Sequence, residues 1–340
     1  MFKKGLIFFI GSFFILSFLL TGVGHSQTKS VTLTYSIFFP ATHTHTILAT
    51  EWAKEIEKRT NGAVKITMFP GATLTPANQC YDGVVKGISD IGMSVLSYTA
   101  GRFPLMEVID MPLGYKTGYQ ATRLCNVFYH KFQPKELDDV KVMYLHGHGP
   151  GILNTQDKKI TKLEELKGMK IRCTGTTAKL VSHWGAAPVA MPQTETYDAI
   201  QKGVVDGLMS PVETLKGWKF AEVTKYTTLN YGSAYSMAFF VVMNKQKWNA
   251  LSKDIQTTIQ KVNEEWIEKT GKSWDEIDKA GWEFAKAKGH QFIPLSKQED
   301  ERWAAAARPI FGEYAQAMKA KGLPGEEALK FCQDWLKKNP

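Results

Sequence analysis

Six residues, Tyr81, Asp82, Lys86, Gly87, Asp90 and Met93, recur at one constant offset as Tyr197, Asp198, Lys202, Gly203, Asp206 and Met209. Each set spans thirteen positions and reads as a helix stopping on glycine, a tight turn and a short strand. A chain that carries one supersecondary unit twice is constrained to hold equivalent substructures in its two halves. The natural outcome is a pair of similar lobes facing each other across a cleft.

The segments around the repeat supply the rest of each lobe. Val31 to Tyr35 alternates apolar residues with threonine and reads as a strand. The loop Ser36 to His45 leads into a helix of about fifteen residues that ends near Thr60, with Asn61 and Gly62 as its stop. Val64 to Phe69 is a second strand, Pro76 to Lys86 a helix, Ile88 to Met93 a third strand, and Ser94 to Phe103 a loop rich in polar groups. Strands alternating with helices at this spacing give an α/β fold with a mostly parallel sheet and helices on both faces.

Between Val140 and Thr155 the strand Val142–Leu145 is broken by Gly147, Gly149, Pro150 and Gly151 before Ile152–Thr155 resumes it, which marks a crossing between lobes. Tyr235 to Met243 is a long apolar strand that returns to the first lobe, so the hinge has two crossings. From Ser252 to Lys288 apolar residues recur at spacings of three and four through Ile255, Ile259, Val262 and Trp266, then Ile277, Ala280 and Phe284. Such a helix is roughly 55 Å long, more than one small lobe is wide. Gly271 and Gly281 are places where it could bend or break. Gln291–Pro294 and helices around Glu299–Ala305, Pro309–Lys321 and Gly325–Lys338 complete the second lobe.

Lys3 and Lys4 precede an apolar run from Gly5 to Leu20, followed by the small residues Gly24 and Ser26. This pattern predicts a secretory signal peptide over 1–26, cleaved before Gln27. The run is short for a helix that crosses a bilayer, which takes about 20 residues. The formal charge of +9 becomes +7 without the two leader lysines. The basic residues are scattered among acidic ones and form no stripe with aromatics, which excludes nucleic acid as a partner; a modest positive field instead collects anionic solutes. Cys80, Cys125, Cys173 and Cys332 form no metal-like spacing. In an exported chain a Cys80–Cys125 bridge is one expectation, and four buried thiols the other.

Function concentrates between Leu166 and Pro211. Lys170 to Cys173 reads as a strand, after which Thr174 or Thr176 caps a helix from about Thr177 to Trp184, closed by Gly185. Arg172 therefore sits at the carboxyl end of a strand beside a helix start, where open α/β sheets bind anions. A guanidinium fork there suits a carboxylate, because two parallel N–H···O bonds fix its plane. An edge arginine in a weak surface ion pair would show the same local sequence.

The whole stretch resembles the DctP-like solute-binding proteins of TRAP (tripartite ATP-independent periplasmic) transporters. The likeness rests on Lys170-Ile171-Arg172, then Gly185 to Met191, then Glu195 and Tyr197, then Gly203 to Gly207. It implies a two-lobed periplasmic-binding-protein-like (type II) fold with a long helix spanning both lobes. The corresponding division is 27–150 plus about 237–270 for lobe one and 151–236 plus about 271–340 for lobe two. It also implies that Arg172 clamps the carboxylate of a small organic acid, and that a periplasmic, monomeric receptor delivers this acid to TRAP membrane permease subunits driven by an ion gradient. No enzyme activity, cofactor or metal is implied. The family's second arginine, on the strand that opens lobe two, is absent from Gly151-Ile152-Leu153-Asn154, and its Gln-Glu-Asn-Pro is replaced by Leu208, Met209, Ser210 and Pro211. One carboxylate on a less polar body fits these departures better than a dicarboxylate.

Further candidates for the ligand site come from the ends of other strands. Gln193 precedes a helix capped by Thr194, Ser94 and Tyr98 follow the third strand of lobe one, and Asn154 stands where the second arginine would be. Phe38 and Phe39 lie in the first strand-to-helix loop and serve either the cleft or the core. Trp184 and Trp218 on helical patterns read as core; aromatic walls around one arginine would favour an aromatic or branched acid. Ser210, Pro211 and Glu213 read either as ligand contacts or as a capping box with proline at the first helical position. His43 and His45, and His146 and His148, are HxH pairs, and His148 is placed to touch ligand near the hinge. Those pairs also carry the rival reading, an exported metal-dependent hydrolase. No nucleophile elbow, P-loop or dinucleotide fingerprint accompanies them.

Overall fold

The computed structural model describes residues 1–2 and 30–340; the apolar leader run and the cleavage site before Gln27 lie outside the described residues. The chain opens with β1 (Val31–Ile37), α1 (Thr44–Arg59), β2 (Val64–Phe69), α2 (Cys80–Val85), β3 (Ile91–Val95), α3 (Gly118–Phe132) and β4 (Val140–Gly147). It continues through β5 (Ile152–Thr155), β6 (Lys170–Cys173), α4 (Thr176–His183), β7 (Ala187–Ala190), α5 (Gln193–Gln201), β8 (Gly207–Ser210), α6 (Thr214–Gly217) and β9 (Tyr226–Leu229). β10 (Ala238–Asn244), α7 (Lys245–Asn249), α8 (Lys253–Ala287), β11 (Gln291–Pro294), α9 (Lys297–Ala307), α10 (Pro309–Ala320) and α11 (Gly325–Lys338) follow.

Two sheets result. The first has the order β2-β1-β3-β10-β4 and the second β11-β9-β5-β8-β6-β7. β10 is antiparallel to both of its neighbours, as befits a strand that arrives from the other lobe. The two crossing segments meet: Gly151 N–H donates to Tyr235 O at 2.8 Å and Tyr235 N–H to Gly151 O at 3.3 Å. A Cβ on Gly151 would lie 2.3 Å from the Tyr235 ring, so only glycine lets the two hinge strands pair this closely.

The repeat is real at the level of bonds. Lys86 and Lys202 end α2 and α5, and Gly87 and Gly203 follow with φ of +74° and +67°. Asp90 Oδ2 then accepts the N–H of Thr34 on neighbouring β1 at 2.8 Å, and Asp206 Oδ2 accepts that of Lys170 on neighbouring β6 at 2.7 Å. In each lobe the recurring aspartate ties the start of one strand to the next.

α8 is one unbroken helix of 35 residues, about 52 Å at 1.5 Å per residue. Its first half packs on α1, α3 and β4 and its far end on α6, so it spans both sheets. Trp52 Nε1 donates to Asn263 Oδ1 at 3.0 Å and Trp266 Nε1 to Leu48 O at 2.9 Å, which fixes its register on lobe one. Neither glycine breaks it. Both permit close approach instead: a Cβ on Gly271 would meet Tyr119 at 2.9 Å, and one on Gly281 would meet Val212 O at 2.5 Å. α11 packs across onto α3, the outer helix of the first sheet.

The Cys80–Cys125 bridge is not formed; all four cysteines are free and buried. The Cys80 thiol faces Met93 O at 3.7 Å and Ser36 O at 3.9 Å.

A buried carboxyl anchors the second crossing. Asp110 Oδ1 accepts the N–H of Ala238, the first residue of β10, at 3.0 Å. Burial pushes its pKa up to about 7; the Ala238 and Ser97 bonds pull the other way, and Glu107 adds to the rise. In an unfolded chain the value is about 3.9. Because the folded value is the higher one, the group favours folding fully below about pH 3.9, and that contribution is lost as pH rises through 7. Asp110→Asn keeps the acceptor and removes the titration. Its melting temperature relative to the unmodified protein should therefore climb by a few degrees between pH 4 and 7 and then level off. Parallel melting curves across that range check this; a constant difference would contradict it.

Candidate functional site

Arg172 stands on β6, one residue before the strand's end, with only 2% of its surface exposed. Its Nε and Nη2 donate to Met191 O, in the β7–α5 connection, at 3.0 and 2.9 Å. That bidentate bond aims the guanidinium and uses two of its five N–H groups. Among the described residues no ion pair includes Arg172. A cation this deep without a counter-charge is costly in an otherwise dry interior.

The side chain faces a small cavity between the two sheets. Its walls are aromatic: Phe38 and Phe39 from lobe one, Trp218 and Tyr235 from beyond β8, Phe239 on β10 and Trp274 on α8. Phe38 lies between Trp218 and Phe239, stacked on each with centroids 5.9 and 6.2 Å apart. No other arginine, and no lysine, is among its lining residues.

Two polar contacts close the cleft over this space. Gln193 N–H, at the start of α5, donates to Tyr98 OH at 3.2 Å. His43 Nε2 meets Glu213 Oε2 at 3.2 Å, and both side chains are buried. Burial raises the Tyr98 pKa, while Arg172 and the Gln193 N–H oppose the rise. Burial also holds the His148 pKa down at about 4, with its Gly149 bond acting upward and Arg172 downward. At neutral pH the cavity therefore presents a guanidinium, a neutral phenol and a neutral imidazole.

Eight of the ten residues expected from sequence line the cavity: Arg172, Gln193, Tyr98, Phe38, Phe39, His148, Ser210 and Glu213. Ser94 and Asn154 do not. Ser94 Oγ donates to Ala77 O at 2.7 Å, because the strand's alternation turns its neighbour Val95 to the cavity instead. Asn154 is spent inside the second sheet, donating to Ser210 Oγ at 3.1 Å and accepting from Thr227 Oγ1 at 2.5 Å.

Local capping expectations also need correction. The capping box at Ser210–Glu213 is not formed, since Glu213 goes to His43 and Ser210 Oγ to Thr214 Oγ1 at 2.9 Å. α4 has Gly175 at its N-cap, with Thr177 Oγ1 turned back onto Thr174 O at 2.6 Å, and no residue of its first turn reaches the cavity. Thr194 does not cap α5, which starts at Gln193. Trp184 belongs to the core, donating to Trp303 O at 3.2 Å, but Trp218 belongs to the cavity wall. Tyr235, Phe239 and Trp274 read from the sequence only as strand or helix residues; nothing in their spacing points to a ligand.

The HxH pairs do converge, with His45 and His146 stacked 5.5 Å apart and His43 and His45 5.6 Å apart. They face rings, not a common point. His146 Nδ1 accepts from Trp274 Nε1 at 3.0 Å and His43 Nδ1 from His45 N–H at 3.2 Å. Among the described residues no group of three His, Cys, Asp or Glu is placed to hold a metal ion.

Two sheets joined by a doubled hinge, with an unpaired guanidinium in an aromatic cavity between them, define a solute-binding receptor. The family model for bacterial extracellular solute-binding protein, family 7 (DctP), matches residues 35–317, and the chain belongs to that family. A TRAP periplasmic solute binding protein from Desulfovibrio salexigens, solved as an open complex, is 33% identical, with 91% of this chain and 96% of that one covered and a TM-score of 0.79. One from Rhodoferax ferrireducens in complex with copurified benzoate is 27% identical over 91% and 98%, with a TM-score of 0.83. One from Bordetella bronchiseptica with bound (R)- and (S)-mandelate is 28% identical over 91% and 100%, with a TM-score of 0.85. The chain is thus a TRAP-type solute-binding receptor and not an enzyme, and the hydrolase reading falls with it. No helix among the described residues is long and apolar enough to cross a membrane.

Proposed function

We propose that this receptor captures a monocarboxylate with an aromatic body, holding the carboxylate on Arg172 and the ring between the aromatic walls. The observation that carries the reading is the guanidinium itself, buried and without a carboxylate partner in a cavity that has no second arginine or lysine. Dicarboxylates would need a second cation, which this cavity lacks, and sugar acids many free hydrogen-bonding groups, whereas Tyr98, Ser210 and Glu213 of its wall already have protein partners. The relatives solved with benzoate and mandelate support the aromatic body. They also superpose more closely than the relative solved open, although they are less identical, in keeping with a closed cleft.

Function follows from closure. A solute that touches both lobes favours the closed state by its differential affinity for it. The monomer, exported to the periplasm by a leader that is cleaved in the process, closes on its cargo there and presents it to the membrane permease. Calorimetric titration with benzoate, mandelate, succinate and glucuronate tests the reading. The two aromatic monoacids should bind at least tenfold more tightly than the other two; preference for succinate or glucuronate would overturn it.

A further inference from the structure

His148 supplies a second recognition element. The ring is buried in the cavity wall next to the hinge, with 2% of its surface exposed. Nδ1 lies 2.5 Å from Gly149 O. A carbonyl oxygen only accepts, so Nδ1 carries the proton, and the neutral ring is left with a lone pair on Nε2. That atom is buried and has no partner among the described residues. Of the six buried side-chain atoms in this state, the others belong to Tyr35, His45, His146 and Thr270, none of which lines the cavity. Of the other polar groups of the wall, Tyr98 OH takes the Gln193 N–H, Glu213 takes His43, and Ser210 Oγ contacts Thr214 and Asn154, while the Gln193 amide and the Tyr235 hydroxyl are less deeply enclosed than Nε2 of His148.

We infer that the bound acid carries a neutral hydroxyl whose proton His148 Nε2 accepts, making His148 the residue that selects hydroxylated acids over their deoxy counterparts. The inference rests on the carboxylate reading of Arg172, since the carboxylate fixes where the hydroxyl falls. A hydroxyl is favoured over an ammonium because it needs one acceptor, whereas an ammonium must satisfy three donors and carry a second positive charge into a space that already holds a guanidinium. A site with a buried acceptor discriminates against a ligand that leaves it unpaired far more strongly than an apolar wall discriminates by size.

The test compares matched probes by calorimetry: (R)- and (S)-mandelate against phenylacetate, and 3-hydroxybenzoate against benzoate. At least one hydroxylated probe should bind roughly tenfold more tightly than its deoxy partner. In His148→Phe that ratio should fall to near one, and His148→Gln, which retains an acceptor, should keep part of the preference. If His148→Phe does not fold, His148→Ala takes its place in the comparison. Equal affinity within every pair, or a preference that survives loss of the imidazole, overturns the role of His148 alone. Failure of every probe to bind overturns the carboxylate reading as well.

Discussion

Arg172→Ala should lower the affinity for benzoate at least about a hundredfold. Hydrogen bonds to a charged group contribute about 1.5–3 kcal/mol each, and two of them on one carboxylate amount to at least about 3 kcal/mol, which is two orders of magnitude in affinity. The unliganded variant should nevertheless fold. Two effects oppose each other there: loss of both donors strands the partly buried Met191 carbonyl at a cost of at most about 1–3 kcal/mol, while removal of an uncompensated buried cation relieves a penalty of similar kind. The melting temperature without ligand should therefore change little, and the benzoate-induced rise should vanish. Arg172→Lys should fall between the two, because it restores the charge without the planar fork. Undiminished binding by Arg172→Ala would remove the clamp.

Gly281→Ala should weaken benzoate binding by about tenfold and destabilise the protein, against what helix propensity alone implies. In the interior of a helix alanine is favoured over glycine by about 1 kcal/mol. At Gly281, however, the added Cβ would sit 2.5 Å from Val212 O and 2.9 Å from Glu213 Cα, and both are backbone atoms that cannot swing aside. Overpacking of this kind costs about 1–3 kcal/mol. The strain falls on the segment that brings Pro211 and Glu213 to the cavity wall, and Glu213 N–H is already held by Asp278 of α8 at 2.9 Å. Gly271→Ala is the control. There a Cβ would press on Tyr119 and Thr122, which line no part of the cavity, so stability should fall while affinity stays. Equal effects of the two variants on affinity would contradict the link between α8 and the site.

Where order along the chain determines structure, the sequence was readable. Val64–Phe69, Ile152–Thr155 and Lys170–Cys173 are strands at the bounds their patterning indicates. The glycines between Gly147 and Gly151 mark the hinge, and the repeat around Tyr81 and Tyr197 marks two equivalent units. Arg172 was legible because strand end, helix start and charge coincide within a few residues. What was not legible depends on partners far away in sequence. Glu213 has a local capping role on paper, yet His43, 170 residues distant, takes its carboxylate. Gly271 and Gly281 resemble breaks until their neighbours show them to be contact points. The aromatic wall is assembled from four separate segments, so no spacing announces it. Ser94 failed for a smaller reason, since a strand boundary misplaced by two residues hides which side of the sheet a residue faces.

Crystals grown with benzoate give the most direct test of the central proposal. The carboxylate should lie within about 2.7–2.9 Å of Arg172 nitrogens, with the ring against the aromatic wall and both lobes in contact with it. A carboxylate held elsewhere, with Arg172 bonded only to Met191 O, would contradict the account.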